Sequence, residues 1–354
     1  MYYLKYRPKN ILEIDNTQVK EKILKLLKSK TVPHAILLSG PKGIGKTSVA
    51  RIIAKSINCL NNRFNKKNND INPCNKCQNC LAIDTSSSVD VVEIDGASNR
   101  GIENIRQLIR ETTYIPLNTR YRVFIVDEVH MITPEAFNAF LKTLEEPPER
   151  VIFILATTNP EKIPATIRSR TFIINFGKAK KNDIFTMLQR IIKEENLNVN
   201  EKVLELIVDY SDYSFRDAAK ILEDLVIHNK LDDLQAAKSF LGIVKDDFLK
   251  IIAENNINKT LSWLEEFNQN GGDYKFLIEN TLQKLRKLLL IKSGVMDEPM
   301  VETYNLNVNQ ITLLIKNLLE SYRLLKISPI ESIPLEIMII EYFNKMKINY
   351  KDKQ

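Results

Sequence analysis

A chain of 354 residues has room for two or three domains, and 44% hydrophobic content can fill their cores while 27% charged residues cover their surfaces. A net charge of +7 permits contact with nucleic acid without demanding it. No apolar run approaches membrane-spanning length and Met1-Tyr2-Tyr3-Leu4-Lys5 lacks a signal peptide's apolar core, so a cytoplasmic protein with no membrane partner is expected. All four cysteines fall in one span (Cys59, Cys74, Cys77 and Cys80), which excludes a disulfide-stapled secreted domain and suggests a metal site in a reducing compartment.

In chain order, Lys5-Tyr6-Arg7-Pro8-Lys9 precedes a helical pattern over residues 19–28, with Ile23, Leu24, Leu26 and Leu27 on its apolar face. Ala35-Ile36-Leu37-Leu38 reads as a buried strand, followed by a glycine-rich turn and a helix that aligns Val49, Ile52, Ile53 and Ile57. Residues 61–72, rich in Asn and Lys, read as an exposed loop. Further strands are expected over 89–94, 123–126, 151–156 and 172–174, with helices over 102–112, from Pro134 to before Pro147-Pro148, and over 164–169. Short buried strands alternating with amphipathic helices predict an α/β domain with a parallel sheet covered on both faces. Beyond Gly177 no strand pattern recurs, and helices are expected over 184–194, 201–210 and 215–228. Boundaries near Lys178 and Gly242 divide the chain into 1–177, 178–242 and 243–354. The last part is a helical bundle with Leu282, Leu285, Leu288 and Leu289 inward, and turns at Gly271-Gly272 and Ser328-Pro329.

Gly40-Pro41-Lys42-Gly43-Ile44-Gly45-Lys46-Thr47 matches the phosphate-binding loop, in the strand–loop–helix context that it requires. Its glycines let backbone N–H groups turn inward around phosphate oxygens, and the helix N-terminus adds partial positive charge at the turn that carries Ser48. Lys46 would reach the terminal phosphates and the Thr47 hydroxyl would hold magnesium. The strand before Asp127-Glu128 supplies a second half: Asp127 to bind the magnesium, directly or through water, and Glu128 to orient or deprotonate the attacking water. Thr157 and Thr158 either reach the terminal phosphate or water, or serve as turn hydroxyls before Asn159-Pro160. Arg170 and Arg216 are each either a phosphate-directed guanidinium or a solvated charge. In Cys59-x14-Cys74-x2-Cys77-x2-Cys80, four thiolates complete a closed tetrahedron for a structural zinc. The 95–101 segment, with Ser98, Asn99 and Arg100, offers groups for a nucleic-acid phosphate, but a polar loop with a helix cap explains it as well and is preferred. His130, two positions after Glu128, offers a group that could sense the site, but reads as structural.

In this ordered combination the sequence resembles the bacterial clamp-loader ATPases of the AAA+ class, the DNA polymerase III gamma/tau family. The resemblance rests on Lys5-Tyr6-Arg7-Pro8, the glycine loop, the four cysteines, Asp127-Glu128-Val129-His130-Met131, the 141–148 segment, Ala156-Thr157-Thr158-Asn159, Ser169-Arg170 and Phe215-Arg216-Asp217-Ala218. It implies ATP, Mg2+ and structural Zn2+ as cofactors. Tyr6, Arg7 and Pro8 fall in the adenine-pocket segment, Thr157 and Thr158 in sensor 1, Arg216 in sensor 2, and Arg170 at the finger given in trans to a neighbour. The second and third parts become a helical lid and an oligomerisation collar. The implied partners are further gamma copies, delta and delta-prime in a ring-like hetero-oligomer, a sliding clamp and primed DNA. The sequence departs from the family at Thr171, where cysteine is usual, at Asn16-Thr17-Gln18, and in the length of the insertion between Cys59 and Cys74. Ending at Gln354, it resembles the short gamma form.

Two other readings stand beside the motor. One is a non-hydrolysing scaffold like delta-prime, against which Lys46-Thr47 argues. The other is a zinc-containing DNA-binding module with a nucleotide switch, for which residues 61–72 offer no aromatic besides Phe64.

Overall fold

A computed structural model describes residues 1–29, 31–66, 69–241, 247–269, 272–295 and 304–351. Two compact units divide the chain, residues 1–232 and 233–354.

In the first unit, five parallel strands stand in the order β2-β3-β4-β1-β5: β1 (Ala35–Ser39), β2 (Val91–Asp95), β3 (Arg122–Asp127), β4 (Val151–Thr157) and β5 (Phe172–Asn175). β1 and β4 are buried along their whole length and β3 as far as Val126, because helices cover both faces, so their sequences are apolar runs with no alternation. In register, Leu37 lies between Leu155 and Ile173, while Ile125 lies between Ile154 and Glu93. That register brings Ser39 beside Thr157 and Asp95 beside Asp127, so the polar strand ends share one rim of the sheet. Ligands of open α/β sheets bind at this carboxyl rim.

One sheet face packs α5 (Ile102–Glu111) and α6 (Pro134–Glu145), which contribute Ile105, Leu108, Phe137, Phe140 and Leu144 to a core with Phe124 and Phe153. The Phe140 ring meets Phe153 edge-on at 4.9 Å. Thr133 caps α6 by accepting from the Ala136 N–H, and Pro134 occupies its first turn, as its sequence predicts. α3 (Lys46–Asn58) packs against β1, β3 and β4 and also meets α2 (Thr17–Lys28). After β5 come α8 (Lys181–Glu194), α9 (Glu201–Tyr210) and α10 (Phe215–Ile227). Two short helices escape the periodicity reading, α1 (Tyr2–Lys5) and α4 (Gln78–Asp84), whereas α7 (Ala165–Arg168) falls within the expected 164–169.

The reading of residues 61–72 as an exposed loop is corrected in part: Asn62, Phe64 and Ile71 are buried. The Asn62 amide donates to the carbonyls of Ser56 and Asn72, which satisfies its polar group and lets the loop fold inward.

The second unit is helical: α11 (Leu234–Phe240), α12 (Phe248–Ala253), α13 (Ile257–Gln269), α14 (Tyr274–Lys292), α15 (Val308–Leu325) and α16 (Ile333–Lys351). Trp263 stacks on Phe248 at 5.0 Å and on Phe267 at 5.4 Å, and Leu285 and Leu288 are buried beside them with Leu282 and Leu289 packed at the edge. Ser328-Pro329 lies between α15 and α16, whereas Gly242 and Gly271 lie outside the described residues. Among the described residues no helix is long and apolar enough to cross a membrane.

Candidate active site

Between β1 and α3 the chain turns through Gly40–Gly45, and Gly43 (φ +73°) and Gly45 (φ +95°) adopt the left-handed backbone that only glycine takes without strain. A side chain at Gly43 would also lie 2.0 Å from the Ser214 Oγ, because the start of α10 closes onto the loop and the Arg216 N–H donates to the Gly43 carbonyl at 3.3 Å. Pro41, Lys42 and Ile44 fill the turn. Gly45 is the N-cap of α3, so the N–H groups of Lys46, Thr47 and Ser48 have no acceptor within the helix.

The Thr47 hydroxyl donates to Asp127 Oδ2 at 2.6 Å, joining residues 80 positions apart. Lys46 is 6% exposed and its ammonium donates to the carbonyls of Gly40 and Pro41, both at 2.8 Å. Burial lowers its pKa, while the nearby Glu128 and Asp127 carboxylates oppose that shift. Glu128 has a left-handed backbone (φ +45°), and its Oε2 accepts from the Thr158 N–H at 3.2 Å and the Thr158 hydroxyl at 2.9 Å. Thr157 is fully buried; its carbonyl accepts from the Gly40 N–H at 3.2 Å and its hydroxyl lies 3.1 Å from His130 Nδ1. His130 Nδ1 also stands 3.3 Å from Glu128 Oε2. Its position two residues after Glu128 is the sequence signal for that placement beside the site.

A cavity of about 280 Å³ opens over this loop. Gly43 to Val49, Asp127 and Glu128 line it, facing Tyr6, Arg7 and Pro8 of the N-terminal segment and Arg216 of α10. Asn16 and Phe215, from two of the segments compared with the family, also line it, as do Tyr2, Tyr3, Asp15 and Met187, which escaped the sequence reading because no motif marks them. The Arg216 guanidinium sits over the Tyr3 ring at 6.0 Å. Burial, with the like charge of Arg51, lowers the Arg7 pKa. Asp15 bonds Arg190 at 3.1 Å, yet burial pushes its carboxyl up to about 6. Lys5 and the Tyr6 hydroxyl both bond Glu195 just past α8, so the N-terminal segment is tied to the helices that follow the sheet.

Thr157 and Thr158 stand behind Glu128 and do not themselves line the cavity, and two further expected groups lie apart from it. Arg170 bonds Glu145 at 2.5 Å and the Thr166 carbonyl at 2.8 Å, and lines no part of it. In the 95–101 turn, Asp95 accepts from the Ala97 N–H and the Ser98 hydroxyl, both at 2.9 Å, and Arg100 donates to the Ala97 carbonyl, so the turn satisfies its own polar groups.

The sulfurs of Cys59, Cys74, Cys77 and Cys80 all lie within 4.8 Å of one another, close to the ~3.8 Å edge of a tetrahedron with 2.3 Å metal–sulfur bonds. N–H donors point at them: Cys74 and Asn61 at Cys59, and Cys77 and the Asn61 amide at Cys74, all at 3.3–3.4 Å. Such donors stabilise thiolates. Burial raises the Cys80 and Cys59 thiols; at Cys74 burial acts in the same sense, but N–H donors including Lys76 and the Asn61 amide outweigh it and bring the thiol down to about 6. The donor set and its N–H shell fit a closed tetrathiolate metal site. Lys55, only 1% exposed, ties α3 to this module through Asn75 at 2.9 Å and Asp84 at 2.7 Å.

A family model described as "DNA polymerase III, delta subunit" matches residues 15–180. DNA polymerase III subunit tau of Bacillus subtilis is 39% identical over 82% of the chain, which spans about half (52%) of that relative's length. DNA polymerase III subunit gamma of Buchnera aphidicola subsp. Schizaphis graminum is 38% identical over 74% of the chain and 72% of its own length. The gamma subunit of Buchnera aphidicola subsp. Baizongia pistaciae is 31% identical over 96% of the chain and 95% of its own. With likeness of this degree running along nearly the whole of a relative, and with the phosphate loop, Asp127-Glu128 and four-cysteine cluster assembled on one unit, the chain belongs to the DNA polymerase III gamma/tau family.

Proposed function

We propose that this chain is an ATPase motor subunit of a bacterial clamp loader, using ATP binding and hydrolysis to place a sliding clamp on primed DNA. The observation that carries the reading is the 2.6 Å contact between Thr47 and Asp127, which joins the two halves of a magnesium-nucleotide site beside Glu128. An intact Lys46-Thr47 in contact with Asp127 is not needed by a non-hydrolysing scaffold.

In this reading ATP lies over Gly40–Thr47, with α3 N–H groups and Lys46 on its phosphates and the base against Tyr6, Arg7 and Pro8. Thr47 and Asp127 would hold a magnesium ion, which would supply charge neutralisation at the phosphates. Glu128 orients the attacking water and accepts its proton. Sensor residues Thr157 and Thr158 lie behind Glu128, and Arg216 approaches the phosphates from α10. In this reading α10, whose Ser214 and Arg216 meet Gly43, supports the role of the expected 178–242 part as a lid, and 243–354 is the collar. On the same reading Arg170 serves the site of an adjacent subunit, and its position away from this chain's own cavity is compatible with that role. Zinc in the four thiolates is structural, since four protein ligands leave no place for substrate. The partners are further copies of this chain, delta, delta-prime, the clamp and primed DNA, all in the cytoplasm.

The test of the shared site is a mixture of Arg170→Ala and Lys46→Ala subunits assembled into the complex. Turnover should fall below that of the two separate populations combined with wild-type neighbours. Unimpaired hydrolysis by sites facing only Arg170→Ala neighbours would remove the trans role.

A further inference from the structure

We propose that His130 is a positioning residue that makes the Thr157 hydroxyl an obligate hydrogen-bond donor and fixes which oxygen of Glu128 faces the reaction. The inference deepens the ATPase reading and rests on it.

The ring nitrogen His130 Nδ1 stands 3.1 Å from Thr157 Oγ1 and 3.3 Å from Glu128 Oε2. A bare Nδ1 would set its lone pair against the carboxylate oxygen, two acceptors with no proton between them. A proton on Nδ1 removes that repulsion and can be donated to Thr157 Oγ1. The nearby carboxylate therefore selects the tautomer electrostatically, and the Nδ1–H is donated to Thr157.

Two consequences follow. Thr157 Oγ1 also accepts from the Asn159 N–H at 3.0 Å, so with the His130 bond both of its lone pairs are used. Its own proton is then left to donate, from a fully buried residue whose carbonyl is bonded to Gly40 of the phosphate loop. Glu128 Oε2 in turn accepts from the Thr158 N–H and the Thr158 hydroxyl, and the His130 Nδ1–H adds its positive end 3.3 Å away. Oε1 has no hydrogen-bond partner among the described residues, and is the oxygen free to take a proton from water. One imidazole thus couples the donor polarity of Thr157 to the orientation of the general base.

Asparagine carries an amide donor at the place of Nδ1, whereas glutamine carries it at the place of Nε2. The test compares His130→Asn, His130→Gln and His130→Leu in the assembled complex with clamp and primed DNA, measuring kcat and KM for ATP alongside a Lys46→Ala control. The Gln and Leu variants should lose about tenfold or more in kcat with KM within about twofold, and Asn should stay within about threefold of wild type. In a Thr157→Val background, His130→Gln should add little further loss, since both changes disable one hydroxyl. Gln and Leu variants within about twofold of wild type in kcat, Asn and Gln equally slow, or KM rising in step with the loss would each overturn the proposal. If Lys46→Ala leaves turnover intact, the ATPase reading itself fails; if Lys46→Ala abolishes turnover and His130 proves indifferent, only this inference falls.

Discussion

Lys46 and Glu128 line one cavity but do different work, and substitutions should separate them. Glu128→Gln keeps the shape and the bonds from Thr158 while removing the base, so nucleotide binding should persist and turnover should fall by about 10²–10⁴-fold. Fluorescent-nucleotide titration and phosphate release, run on the same preparation, check both halves. Gly43→Ala acts through geometry. Its φ of +73° and the Ser214 Oγ at 2.0 Å mean that an added methyl must push α10 off the loop, so nucleotide affinity should drop by about tenfold, or roughly 1.4 kcal/mol. An unchanged dissociation constant would show that the closure of α10 contributes nothing to binding. Asp15 gives a pH test. Its folded pKa of about 6 stands above the 3.8 of an unperturbed aspartate, so its contribution is fully present below the unfolded pKa and lost as pH rises through about 6, up to about 3 kcal/mol. Asp15→Asn should flatten the dependence of melting temperature on pH between those values.

Elements were legible where side-chain periodicity carried the whole signal. The apolar runs of β1, β3 and β4 stand in the sequence because burial on both faces removes any alternation, and α6 is marked by its Thr133 cap and Pro134. Helices α1 and α4 are one or two turns long, too short for a pattern to accumulate. The buried part of 61–72 was hidden because Asn62 counts as polar in composition, although its amide is fully bonded inside the fold. The chemistry followed the same rule. Residues with a fixed spacing, from Gly40 to Thr47 and from Cys74 to Cys80, could be read directly. Tyr3, Asp15, Met187 and the His130–Thr157 contact depend on distant elements meeting, which no local spacing records. The cysteine module belongs to this scale as well. It is anchored to α3 by Cys59 and the buried Lys55, so removing its metal should loosen α3 and the phosphate loop together. Cys80→Ser is expected to lower stability by about 3 kcal/mol or more and to reduce bound zinc below stoichiometric. Full metal content in that variant, or none in the wild type, would count against the zinc assignment.

For the molecule as a whole, each of the two units has its own apolar core, and the single tryptophan, Trp263, belongs to the second. Tryptophan emission should therefore follow the unfolding of residues 233–354, while ATP raises only the transition of residues 1–232, by about 2.7 kcal/mol at a hundredfold excess over its dissociation constant. The cavity over the phosphate loop is lined entirely by residues of the first unit, and Arg170 lies outside it. The central claim is that ATP turnover at this site drives clamp loading. Its most direct measurement takes the assembled complex, with a clamp and primed DNA, and follows ATP hydrolysis and clamp loading together for wild type and Lys46→Ala. Loss of both activities in the variant is the predicted result; DNA-stimulated hydrolysis and loading at the wild-type rate would contradict it.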